Sequence, residues 1–366
     1  MTAPNSAAGA NTIREILSQP AAWAQCLAAL EESRQLDKLN EALPNDREWT
    51  FIGCGSSFYL AQVAAASWMI LTGGKARAIP ASEILLFPAT LPRPCQPVLI
   101  SRSGHTSEVV EAAKYFERQP ATPTLAITCG TGTPIEEIAA HTIRLAAVDE
   151  KSTVMTRSFT SMLLALQALA AKRGGRSDFT NALQALPAQF QRRAEEVHGT
   201  IRSLAGARDF ADYVFLGQGP FFGVAQESML KVKEMSCSYA QCFHTLEFRH
   251  GPKAIVGPET LITFFLSESG FDAEVAVLEE IKELGGTTLA IVNSPHAAVR
   301  RHADYLIEMS LEVPEAARAA AAAVPGQLLG LHTGLRKGYD PDQPRHLTRV
   351  VMLDAGGDGG SQRGAA

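Results

Sequence analysis

The chain lacks the marks of several large protein classes. It has no run of basic residues. Lys and Arg number 33 against 38 Asp and Glu, a net charge of −5, so nucleic acid and anionic membrane surfaces are poor candidate partners. No apolar run approaches the roughly 18 residues needed to cross a bilayer. The opening stretch MTAPNSAAGANTIREILSQP has neither a basic start nor a hydrophobic centre, and is not read as a signal peptide. There is no Cys-x-x-Cys pair. Cys26, Cys54, Cys95, Cys129, Cys237 and Cys242 are scattered, as expected of free thiols in a reducing compartment, which places the protein in the cytoplasm. What is present is ordinary globular composition, 46% apolar and 19% charged over 366 residues. That excludes wholesale disorder and gives length for two to three domains.

Residues 1–12 are small and polar and are expected to fray. Helical spacing of Trp23, Cys26, Leu27 and Leu30 predicts a helix over 21–36. Trp49–Ile52 is a short apolar run that ends at Gly53-Cys54-Gly55-Ser56-Ser57 and leads into a helix, Phe58 to Met69. Pro97–Ile100 is a second strand, closing on Ser101-Arg102-Ser103-Gly104-His105-Thr106 before a helix over Ser107 to Glu117. Thr124–Ile127 and Ile143–Leu145 read as further strands. Strands alternating with helices predict an α/β fold with a parallel sheet covered on both faces.

The pattern then returns. Gly53 and Gly55 reappear as Gly217 and Gly219, Ser101-Arg102-Ser103-Gly104 as Ser267-Glu268-Ser269-Gly270, and Leu125-Ala126-Ile127 as Leu289-Ala290-Ile291. The spacing is nearly constant at about 165 residues, the signature of a duplicated domain. Helices over 162–172 and 192–204 join the copies, and the Gly-rich end DAGGDGGSQRGAA is expected to be loose.

Four constellations offer chemistry. The Ser101–Thr106 loop opens a helix, where unpaired N–H groups and hydroxyls suit an anion such as phosphate; helix capping is the plain alternative. Ser56 and Ser57 end the neighbouring strand and can close the same pocket. Glu227, Lys231 and Glu234 share one helix face, either as a general base beside a lysine or as a solvated ion-paired surface. His250, before Gly251-Pro252, sits at a turn and can move protons near neutral pH. Cys237, Cys242, His244 and His250 fit no usual zinc-ligand spacing, so no metal site is expected. Lys337 opens KGYDPDQPR and matters if this tail folds over a pocket, where desolvation favours a Schiff base with a carbonyl.

In their order, SRSGHTSE, VMTRSFT, LKVKEMS, EFRHGP and KGYDPDQPRHL, together with the duplication, resemble the sugar isomerase (SIS) domain family. The likeness runs from about residue 40 to 351 and leans to the isomerase half of glucosamine-6-phosphate synthases and to SIS-type glucosamine-6-phosphate deaminases. It implies two tandem flavodoxin-like SIS domains (41–195 and 196–351, after a helical lead-in over 1–40 and before a flexible tail over 352–366). It also implies a homodimer with a shared active site. By resemblance, Ser57, Ser101, Arg102, Ser103 and Thr106 hold the sugar phosphate, and Thr153 and Thr156 contact the sugar. Met155 stands where the synthases have serine, and Arg157 where they have lysine. Lys231 lies one turn before Glu234, which shuttles a proton between C1 and C2. His250 opens the sugar ring, from the other subunit in synthase relatives, and Lys337 forms the Schiff base. Position 2 is threonine, where a synthase's glutaminase carries its nucleophilic cysteine. The expected reaction is therefore glucosamine 6-phosphate to fructose 6-phosphate plus ammonia, without metal or redox cofactor. The rival readings are another phosphosugar isomerase, a fructosamine-6-phosphate deglycase, and a non-catalytic sugar-phosphate sensor.

Overall fold

A computed structural model describes residues 8–119 and 122–350. Helices α1 (Ala10–Leu17), α2 (Gln19–Glu32) and α3 (Gln35–Ala42) lead into the first sheet. Its strands and helices alternate: β1 (Glu48–Gly53), α4 (Ser56–Thr72), β2 (Ala76–Pro80), α5 (Ala81–Leu86), β3 (Cys95–Ile100), α6 (Ser107–Glu117), β4 (Leu125–Thr128), α7 (Pro134–Ile138) and β5 (His141–Arg144). Three helices follow: α8 (Arg157–Arg173), α9 (Ser177–Gln191) and α10 (Ala194–Ala207). The second sheet is built from β6 (Asp212–Gly217), α11 (Pro220–Ser236), β7 (Ala240–His244), β8 (Thr260–Phe265), α12 (Phe271–Glu283), β9 (Thr287–Val292), α13 (Ala297–His302) and β10 (Tyr305–Glu308), and α14 (Ala319–Arg336) is the last helix among the described residues.

Both sheets are parallel and have the same order, β2-β1-β3-β4-β5 and β10-β9-β8-β6-β7, the second read from its opposite edge. The duplication read from the glycines is thus a duplication of topology. Central β3 and β8 are buried along their whole length, which explains their continuous apolar runs. The sequence reading placed four strands in the first copy and, by the repeat, Val214–Gly217, Leu261–Phe265 and Leu289–Ile291 in the second. The three it passed over, β2, β7 and β10, are all edge strands and carry few fully buried residues.

Two glycine roles fix what matters for the site. Gly55 and Gly219, at φ +54° and +51°, turn a strand abruptly into the helix behind it, a conformation that side chains disfavour. Gly330 and Gly334 let α14 lie directly on α11. A Cβ on either would stand 2.5 Å from the Lys231 carbonyl oxygen and 2.2 Å from that of Met235. On another side α11 packs against α4. Held between these neighbours, α11 buries Glu227 and Lys231, so the solvated-surface alternative does not describe this helix.

The chain start also departs from expectation. Residues 8–12 are not frayed. The N–H groups of Gly9, Asn11 and Thr12 donate to Asp340 Oδ1, Asp342 Oδ2 and Asp342 Oδ1 at 2.8, 2.9 and 2.8 Å. Thr12 Oγ1 adds a bond of 2.6 Å to Asp342. Two aspartates of the far tail thus satisfy the open donors of α1, whose helix dipole favours negative charge at that end. The looseness expected of 352–366 lies outside the described residues.

Candidate active site

A cleft of about 180 Å³ opens beyond the carboxyl ends of β1 and β3, where ligands sit in folds of this topology. The turn after β1 contributes Cys54, Ser56 and Ser57; the loop after β3 contributes Arg102, Ser103 and Thr106; residues 153–155 form one wall. Glu234 reaches it from α11, and Thr348 and Arg349 from the C-terminal tail. Burial pushes the Cys54 thiol up to about 11, so it stays protonated at neutral pH and is a poor nucleophile.

The loop after β3 is shaped from within. Ser101, almost fully buried, accepts from Gly104 N–H at 3.1 Å and shares a 3.0 Å hydrogen bond with Thr106 Oγ1. Ser101 therefore sets the loop's curvature and leaves Ser103 and Thr106 to face the cleft at the start of α6, a helix end suited to anions. Arg102 is 6% exposed. Its Nη2 donates to Thr153 O at 2.9 Å and to Arg349 O at 3.2 Å, and its Nη1 lies 3.6 Å from Glu150 Oε2. One side chain thereby joins the loop, the 153 wall and the tail.

Thr156 lies behind this wall. It is fully buried, and its N–H and hydroxyl both donate to Glu150 at 2.6 Å. Arg157 is spent on Ser18 Oγ and Asp149 O. Met155 does line the cleft, with its sulfur 3.9 Å from Ser57 Oγ.

At the other end of the cleft is a buried charge chain. Lys231 and Glu227 have fully buried side chains, whereas Glu234 is 19% exposed. Lys231 Nζ stands 3.3 Å from Glu227 Oε1 and bonds Glu234 Oε2 directly. Ser56 Oγ completes the set, donating to Glu227 Oε1 at 3.1 Å and accepting from Lys231 Nζ at 3.0 Å. One cation cannot fully offset two carboxylates in a dry interior. Burial pushes Glu227 up to about 8 despite the neighbouring lysine. For Lys231, burial works downward, but the two carboxylates outweigh it and raise its pKa. The outcome near neutral pH is a protonated Glu227 and a charged Lys231, with Glu234 beside them facing the cleft.

Two expected residues lie elsewhere. Lys337 caps α14 and donates to Ser238 Oγ at 2.7 Å; it does not line the cleft. The tail's basic residue at the cleft is Arg349, also paired with Asp149 at 2.5 Å. The reason is that α14 runs on to Arg336 and holds Lys337 at its end. The chain turns back towards α1 only at Asp340–Asp342. His250 is exposed after a short 3₁₀ turn beyond β7, and it too is absent from this chain's cleft wall. Glu150 and Arg349 were not anticipated. Arg349 carries no local sequence signal, since its partners Arg102 and Asp149 are distant in the chain, whereas Glu150 also binds nearby Thr156 and Ser158.

The SIS domain model matches residues 43–172 and 212–333, one match on each sheet. The chain belongs to the SIS domain family. Among curated SIS relatives, the glutamine–fructose-6-phosphate aminotransferase (isomerizing) of Methanothermobacter thermautotrophicus is 25% identical over 93% of this chain. The chain spans 57% of that relative's length. Among solved SIS structures, glucosamine-6-phosphate deaminase from Thermotoga maritima is 29% identical, with a TM-score of 0.78 over 94% of this chain and 100% of the other. Tagatose-6-phosphate ketose/aldose isomerase from Escherichia coli shares the fold at a TM-score of 0.84, with 24% identity over 96% and 98%. By their names, one of these two proteins acts on glucosamine 6-phosphate and the other on tagatose 6-phosphate. Among the described residues, no helix is long and apolar enough to cross a membrane.

Proposed function

We propose that this chain is a glucosamine-6-phosphate deaminase of the SIS type, acting as a homodimer. The observation that carries the reading is Glu234, a carboxylate set against a buried lysine and opening on the same cleft as Ser57, Ser103 and Thr106. The 29% identity to a deaminase, against 24% to a ketose/aldose isomerase, supports the amino-sugar branch. In this reading the loop after β3 grips the 6-phosphate. His250, from the neighbouring subunit, moves the proton that opens the ring. Glu234 takes the proton from C2 of the open-chain aldehyde, whose carbonyl acidifies that bond, and returns it to C1. The product is a 2-imine with a hydroxymethyl C1. Water adds to the imine carbon, ammonia leaves, and fructose 6-phosphate remains. No step passes through Lys337, which stands on Ser238.

The test is release of ammonia and fructose 6-phosphate from glucosamine 6-phosphate without glutamine. Equal amounts of both are expected. Turnover of phosphorylated ketoses without ammonia would move the assignment to the isomerase branch. The shared site has its own check. His250→Ala and Glu234→Ala chains, each inactive, should recover about one quarter of wild-type activity after equal mixing, because half the dimers are mixed and each has one intact site. No recovery after verified subunit exchange would place the whole site within one chain.

A further inference from the structure

The duplication leaves a second loop of the same design. Ser267-Glu268-Ser269-Gly270 follows β8 as Ser101-Arg102-Ser103-Gly104 follows β3. Both are fastened alike: Gly104 N–H donates to Ser101 Oγ at 3.1 Å, and Gly270 N–H to Ser267 Oγ at 2.9 Å. Each leads into a helix, α6 or α12. In the first domain Ser103 faces an open cleft. In the second, a carboxylate already sits on the loop. It belongs to Glu315, on a 3₁₀ turn beyond β10.

The contacts are those of a bound anion. Glu315 Oε1 accepts from Glu268 N–H and, at 3.4 Å, from Ser269 N–H. Its Oε2 accepts from the Ser269 hydroxyl at 2.6 Å. Successive amides and a hydroxyl at a helix entrance form a donor set that also suits phosphate oxygens. The same turn is tied down by Arg318, which is buried, pairs with Glu268 Oε1 at 2.8 Å and donates to Val313 O at 2.9 Å. Where the first loop has an arginine, the second has Glu268, so its side-chain charge is opposite.

We infer that the second loop is an anion cradle filled by the chain's own Glu315, so that each chain grips one phosphosugar, at the first loop alone. This rests on the reading of the first loop as the phosphate site. Removing the Glu315 carboxylate uncovers a second site for an inorganic oxyanion.

Calorimetric titration of the full chain with inorganic phosphate tests this. Wild type is expected to take up one phosphate per chain and Glu315→Ala two. Adding Ser269→Ala to Glu315→Ala should weaken the second uptake about tenfold. A Glu315→Ser variant serves the same titration where the alanine variant does not fold. A folded Glu315 variant that takes up no more than wild type overturns the inference, as does a wild type that already takes up two. The first loop is read separately: Ser103→Ala should weaken the single wild-type uptake. Unchanged uptake there would overturn the phosphate role of the first loop while leaving the Glu315 comparison intact.

Discussion

Glu234→Gln is expected to cut turnover of glucosamine 6-phosphate by about 10²–10⁴, the scale of a lost acid–base group, with KM nearly unchanged. The reasoning is geometric. Glu234 reaches the cleft from α11, whereas Ser103, Thr106 and Arg102 belong to the loop after β3. Removing the base therefore leaves the phosphate grip in place. An interaction used only in the transition state is read in kcat, one used throughout in KM. The glutamine keeps the size and the hydrogen bond to Lys231 but cannot accept the C2 proton. Reaction in deuterium oxide gives an independent readout: exchange into C1 of fructose 6-phosphate should fall in step with ammonia release. A kcat within about threefold of wild type would remove Glu234 from the proton transfer, since general catalysis contributes at least about a hundredfold.

Lys231→Met is the second large effect, this time on stability. Breaking a buried ion pair by deleting one partner costs about 3–5 kcal/mol, because the other charge is left unpaired. The cost should depend on pH, with a definite sign. The folded pKa of Glu227 is raised from 4.5 to about 8, so between those values the folded chain binds more protons than the unfolded one. Stability from this group therefore falls as pH rises through that window, by at most about 1.4 kcal/mol per pH unit. Without Lys231 the carboxyl is pushed higher still, and the decline continues beyond pH 8. Urea unfolding should thus show a smaller penalty for Lys231→Met at pH 6 than at pH 9. Adding Glu227→Gln should recover part of the pH 9 penalty. An equal cost at both pH values, untouched by the second substitution, would show that Lys231 acts by packing alone.

These two residues also show where sequence reading reached its limit. The i, i+4, i+7 spacing of Glu227, Lys231 and Glu234 was plain. Whether that face was wet or buried was not, because the answer lies in α14, about a hundred residues on. There Gly326, Gly330 and Gly334 recur every fourth residue and allow contact with α11. That small-residue period was a legible signal that went unread. The repeated strand–glycine–helix turns were legible because each copy must meet the same backbone demand, and they revealed the doubled α/β fold. Edge strands β2, β7 and β10 escaped because an edge needs no continuous apolar run. Lys337 was singled out for its carbonyl chemistry and by family resemblance, and Arg349 was not considered. Chemistry alone does not reveal where a tail crosses a cleft, and here the path was set by Asp340 and Asp342 reaching α1.

That last contact has a consequence for how the protein is made. Synthesis runs from the N-terminus, and domains tend to fold as they emerge. The first sheet and its phosphate-type loop are complete well before the second sheet exists. Yet α1 keeps its donors open until Asp340 and Asp342 arrive, and the cleft lacks a wall until Thr348 and Arg349 follow. A nascent chain therefore carries an unfinished pocket until residues 340–349 have emerged, after both sheets have been made.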